Sequence, residues 1–156
     1  MRTDSALIHT VRRLTPILLR LALGAAFLSA VGDRFGLWGP LGTPDVAWGN
    51  FQRFMQYTAQ LNPWAPAALV PALAWTASAA ELALGVALVA GLFTREAALA
   101  SGLLLLLFAL GMTVGTGVKS ALDASVLSAA AGAFGLTLLG PGFWSLDELR
   151  GREAST

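Results

Sequence analysis

Glu81 lies in the run ASAAELALGVALVAGLF, residues 77–93, whose other members are small or apolar. Arg20 lies the same way in LLRLALGAAFL, within the first apolar stretch. A lone ionised side chain at mid-span costs roughly 2.5–3.5 kcal/mol. Two opposite charges that meet, with their hydrogen bonds satisfied, largely offset that cost. Glu81 shares a helical face with Ala74, Ala77, Ser78 and Gly85, and Arg20 shares one with Pro16, Gly24 and Phe27. Both faces are narrow enough to turn inward. With antiparallel helices, Arg20 stands about 9 Å and Glu81 about 17 Å from one end, at about 1.5 Å per residue. The reach of an arginine closes much of that offset, so a buried Arg20–Glu81 ion pair is expected. Such a pair either locks two helices together or forms a site for a proton or a quinone headgroup.

A second set of groups gathers at chain ends. Asp33 and Arg34 close the first apolar stretch, Lys119 closes the third, and Asp123 opens the fourth. Two readings follow. The four form a rim of interfacial salt bridges, or they line a shallow, ligand-facing pocket for a small anion or a quinone ring. Lys119 and Asp123 stand i, i+4 in the weaker helical orientation. The chain has no cysteine and one histidine, His9, which argues against thiolate, disulfide and histidine-rich metal or haem chemistry. GTGVKS resembles a phosphate loop, but Gly117 does not directly precede Lys119 and no strand leads into it.

The elements that must position these residues are apolar. The 156 residues are 56% hydrophobic and only 12% charged, with a mean hydropathy of +0.68, whereas soluble domains carry about 25% charged residues. A lipid bilayer is the expected surrounding. A net charge of +1 implies no nucleic-acid partner. Apolar stretches at Leu14–Val31, Ala67–Phe93, Ala97–Val118 and roughly Ala121–Leu139 are each near the length of about 20 residues that spans a bilayer core. Arg12 and Arg13 precede the first stretch, but no small-x-small cleavage site follows it, so a retained span is expected. Gly111 and Gly115, and the series Ala121, Ser125, Ser128, Gly132 and Gly135, form narrow seams that let helices approach closely. The expected fold is all-α: an integral-membrane four-helix bundle over residues 14–149, with a tail at 1–13 and another at 150–156.

Arg2, Arg12, Arg13, Arg95, Arg150 and Arg152 fall on one side of the spans, and Arg34, Arg53 and Lys119 on the other. By the positive-inside rule both termini are cytoplasmic. The long connection, residues 32–66, contains VAWGNFQRFMQYTAQLNPW, with Trp48, Phe51, Met55 and Thr58 at helical spacing. It reads as an additional outer amphipathic helix at the interface. SLDELRGR reads as a capped terminal turn, Ser145 serving as N-cap with Glu148 three residues on.

The order LLRLALGAAFL, GDRFG, YTAQLNP, AAELALGVALVAGLFTREAAL, KSALDASV and LLGPGFWSLDEL, over about residues 14–149, resembles the DoxX family of membrane proteins. The resemblance implies a multi-pass bacterial inner-membrane protein. It implies a quinone-associated subunit of a membrane oxidoreductase complex, with quinone as the cofactor to expect and a redox protein as partner. The alternative is a non-catalytic scaffold or assembly factor. A homo-oligomer is left open.

Overall fold

The computed structural model describes residues 2–153, which form helices and turns with no strand. Helix α1 runs Arg2–Arg34, so the stretch expected as an N-terminal tail continues the first helix. Pro16 sits inside it, tolerated in a span because neighbours can satisfy the freed carbonyl. Helix α2 covers Phe51–Leu61, started by Asn50, whose side chain accepts from the Arg53 amide at 3.0 Å. A single 3-10 turn, Ala67–Leu69, leads into α3, Val70–Ala90, which has proline in its first turn. Gly91, at φ 68°, closes α3, and the Leu92 amide reaches back to the Ala87 carbonyl at 2.9 Å. Helix α4 spans Thr94–Thr116 and stops at Gly117, φ 95°.

The fourth apolar stretch is not one helix. It divides into α5, Val118–Asp123, and α6, Val126–Leu139, because Ser125 takes a left-handed φ of 55°. Three helical segments, Ala6–Arg34, Ala67–Ala90 and Thr94–Thr116, are long and apolar enough to cross a membrane. The 14-residue α6, at about 1.5 Å per residue, is shorter than a bilayer core of about 30 Å. Helix α7, Leu146–Glu153, takes in the start of the expected C-terminal tail. Residues 154–156 of that tail, and the side chains of Arg2 and Arg152, lie outside the described residues.

Packing follows the small residues. Helices α1 and α3 lie antiparallel with Gly24 against Gly85; a Cβ on Gly24 would stand 2.9 Å from the Gly85 carbonyl oxygen. Helix α6 runs back along α4, and Gly102 makes room for the Phe134 ring. Leu23, Phe27, Leu88, Ala98, Leu105, Ala130 and Leu136 form the buried core between them. Large aliphatic side chains such as Leu18, Leu107 and Leu110 remain exposed on the outer faces, as lipid contact requires and water contact penalises. Gly111 and Gly115 receive not another long helix but the end of α2, at Gln60 and Leu61. Helix α2 therefore lies across one end of the molecule, its Phe51 ring 4.3 Å from Trp75 of α3.

Candidate buried ion-pair site

The last two residues of α1 point to different tasks. Arg34 is 3% exposed, and its Nη2 donates to Glu81 Oε1 at 2.6 Å. Its Nη1 donates to Ser78 Oγ at 2.8 Å, and that hydroxyl in turn donates a hydrogen bond to the Ala74 carbonyl at 2.9 Å. The guanidinium lies 3.7 Å from the Phe54 ring centroid and 5.4 Å from that of Trp48. A planar cation over an aromatic face gains about 2 kcal/mol or more when desolvated. One side chain thus ties α1 to α3 through charge and to α2 through two rings. Asp33, also buried, instead accepts the amides of Ala47 at 2.8 Å, Trp48 at 3.1 Å and Gly49 at 3.1 Å. This fixes the loop that delivers Trp48 and α2 to the Arg34 guanidinium.

The expected Arg20–Glu81 pair does not form. Glu81 has Arg34 as its partner, and Arg20 donates to the carbonyls of Pro141 at 2.9 Å and Trp144 at 2.6 Å. The cause is vertical register. Gly24 meets Gly85 and Val89, and Arg20 lies beside Gly91. Glu81, ten residues before Gly91, is about 15 Å away along the helix at about 1.5 Å per residue. Helices α1 and α3 pack offset from the ends of their apolar stretches, which sets Arg20 and Glu81 further apart than those ends imply.

Nor do Asp33, Arg34, Lys119 and Asp123 converge. Lys119 pairs with Asp123 on the surface, both side chains exposed. Among the described residues no hydrogen bond or ion pair joins them to Asp33 or Arg34. Asp33 and Arg34 have nearer, buried partners that hold them, whereas Lys119 lies in the first turn of a short separate helix, α5, with its side chain exposed. The amphipathic reading of the connection holds with its face shifted: Phe54 and Thr58 are buried, and Phe51 and Met55 are half-buried.

At the opposite end Arg20, 2% exposed, anchors the segment between α6 and α7. Gly91 has no Cβ to obstruct it; one would stand 2.8 Å from Ser145 Cα. Asp147 caps α4 from a distance, accepting the amides of Phe93 at 2.8 Å and Thr94 at 2.7 Å. Burial pushes its carboxyl up, but the Thr94 and Phe93 donors and the nearby Arg150 charge outweigh that and hold it below the usual carboxylate value. Sequence reasoning missed Asp147 because its targets lie more than fifty residues away. The signal in the sequence is that Phe93, the residue before α4, has no side-chain acceptor to cap that helix. The terminal turn behaves as expected in part: Ser145 Oγ accepts the Glu148 amide at 3.1 Å, and Glu148 accepts the amide of Trp144 at 3.0 Å.

A shallow cleft of about 270 Å³ opens on the outer side of α2, lined by Trp48, Arg53, Gln56, Tyr57 and Gln60. Burial raises the Tyr57 phenol above its ordinary value, keeping it a neutral donor. No group of histidine, aspartate and glutamate able to hold a metal occurs among the described residues. Comparisons with protein-family models, curated proteins and solved structures gave no match.

Proposed function

We propose that the chain is a DoxX-like membrane protein crossing a bacterial inner membrane four times, with both termini cytoplasmic. In this reading it serves as an accessory subunit of a membrane oxidoreductase complex and performs no redox chemistry itself. One observation carries the non-catalytic part. Arg20, Asp33, Arg34 and Glu81, the four buried charged residues among those described, are each engaged by a partner within the chain. A set of buried charges whose partners all lie within the chain is what a structural ion-pair network looks like. The four crossings take α6, with the turns around it, as the last span, which the local closeness of its neighbours and a thinned bilayer permit. The bacterial membrane and the oxidoreductase complex rest on the resemblance carried by AAELALGVALVAGLFTREAAL and its companion segments.

A quinone-contacting role is a second reading. The outer cleft favours it, since Trp48 and Tyr57 offer ring faces beside the donors of Arg53, Gln56 and Gln60. Purification in mild detergent, solvent extraction for quinone and mass spectrometry of co-purifying proteins test both readings. A redox enzyme without quinone supports the accessory subunit; bound quinone supports the second reading. A client with no redox chemistry would replace both with a general scaffold.

A further inference from the structure

The larger cleft lies at the other end of the molecule, beside the last turn of α3. It encloses about 500 Å³, and its walls include Arg13, Ala90, Phe143, Trp144, Leu146 and Leu149. Its chemistry is divided: Arg13, Ser145 and Glu148 are polar, and the remaining wall is apolar or aromatic. Arg13 has no ion-pair partner among the described residues and rests against the Phe143 ring, 5.4 Å from its centroid. Glu148 also borders the cleft, but its carboxylate already accepts the Trp144 amide. Trp144 is 80% exposed, and Phe93 nearby in the fold is 60% exposed beneath Arg150. Exposed aromatic rings of this kind mark the depth of lipid headgroups. The cleft therefore combines a cation with an amphiphilic wall where the apolar helix α3 ends.

We propose that this cleft binds an anionic phospholipid, its phosphate held by Arg13 and its glycerol and upper acyl carbons lying against Ala90, Leu146 and Leu149. The proposal rests on the membrane reading above. A basic pocket between helices at a membrane boundary is a known setting for anionic headgroups. The apolar wall selects a lipid over a free anion, which would gain nothing from it.

The test uses the full chain in mild detergent, delipidated and offered equal phosphatidylglycerol and phosphatidylcholine, with bound lipid read by native mass spectrometry. Phosphatidylglycerol should be retained preferentially. Arg13→Gln should lower that retention about fivefold, the worth of one basic residue near an anionic surface at about 1 kcal/mol. Ala90→Phe, which fills the cleft without changing charge, should lower it as well, and Lys119→Met at the opposite end should not. Equal retention of the two lipids, or unchanged retention in both cleft variants, would overturn the proposal. So would displacement of the lipid by millimolar inorganic phosphate alone. Alkaline carbonate washing separates the two failures. A chain that leaves the membrane loses the membrane reading, while one that stays but shows no lipid preference loses only the headgroup site.

Discussion

Removing one partner of the Arg34–Glu81 pair should be far more damaging than removing both. Both side chains are buried, 3% and 2% exposed, and joined at 2.6 Å. Changing Glu81 to Leu leaves an arginine that stays charged, held by Ser78 Oγ and the Phe54 ring. Breaking a buried pair from one side costs about 3–5 kcal/mol, whereas replacing both members with apolar residues is often neutral or better. Arg34→Met should be the worse single change. It strips Glu81 of its donor and also takes the guanidinium from beneath Phe54 and Trp48, loosening α2. The double variant Arg34→Met/Glu81→Leu should return to within about 1–2 kcal/mol of the parent, the remainder being the lost cation–ring contact. Reversible unfolding in mixed detergent micelles, followed by tryptophan fluorescence, gives the coupling energy from the four proteins. The combination Arg20→Met/Glu81→Leu should be additive, because those residues share no contact. Additive losses for Arg34 and Glu81, or strong coupling of Arg20 with Glu81, would refute the pairing.

Other consequences are equally measurable. Asp147→Ala, which removes both acceptor oxygens, should cost about 0.5–2 kcal/mol, as loss of a helix cap does. Because the folded carboxyl of Asp147 is held below its ordinary value, its stabilisation is present above the unfolded value of about 3.9 and is lost as pH falls through the lower folded value. Acid unfolding curves of parent and variant should therefore differ at neutral pH and converge in strong acid. Gly115→Ala would drive a methyl into the backbone of Gln60 and Leu61. It should destabilise by about 1–3 kcal/mol in a thermal-shift assay, whereas Gly135→Ala meets nothing within 4 Å and should be neutral or slightly stabilising. Lys119→Met and Asp123→Asn should each change stability by about 0–1 kcal/mol, as expected of an exposed ion pair.

Helix identity was legible because it depends on local pattern. The long apolar stretches and the amphipathic residues ahead of Leu61 announce their elements, although the stretches run past the glycines at 91 and 117 where α3 and α4 stop. The break at Ser125 was not legible, since a serine among small residues carries no turn signal strong enough to set against a helical seam. Partner choice was the largest loss. Glu81 and Arg20 read as costly mid-span charges and Arg34 only as part of a cluster at the span ends, yet which pair forms depends on how far α1 slides along α3. That offset is set by the contact of Gly24 with Gly85, which leaves Glu81 about 15 Å along the helix from the level of Arg20 and beside Arg34 instead. The role of Asp33 was hidden for a related reason: its amide partners are provided by an irregular loop with no periodicity to read.

The absence of native cysteine makes the transmembrane path directly measurable. Single cysteines at three exposed positions, Gln56→Cys in α2, Ala124→Cys between α5 and α6, and Arg150→Cys in α7, would be probed with a membrane-impermeant maleimide. Four crossings require Gln56→Cys and Ala124→Cys to label in intact spheroplasts, and Arg150→Cys to label only after lysis. Labelling of Ala124→Cys and Arg150→Cys from the same side would contradict the four-pass reading and leave α6 as a helix that does not cross.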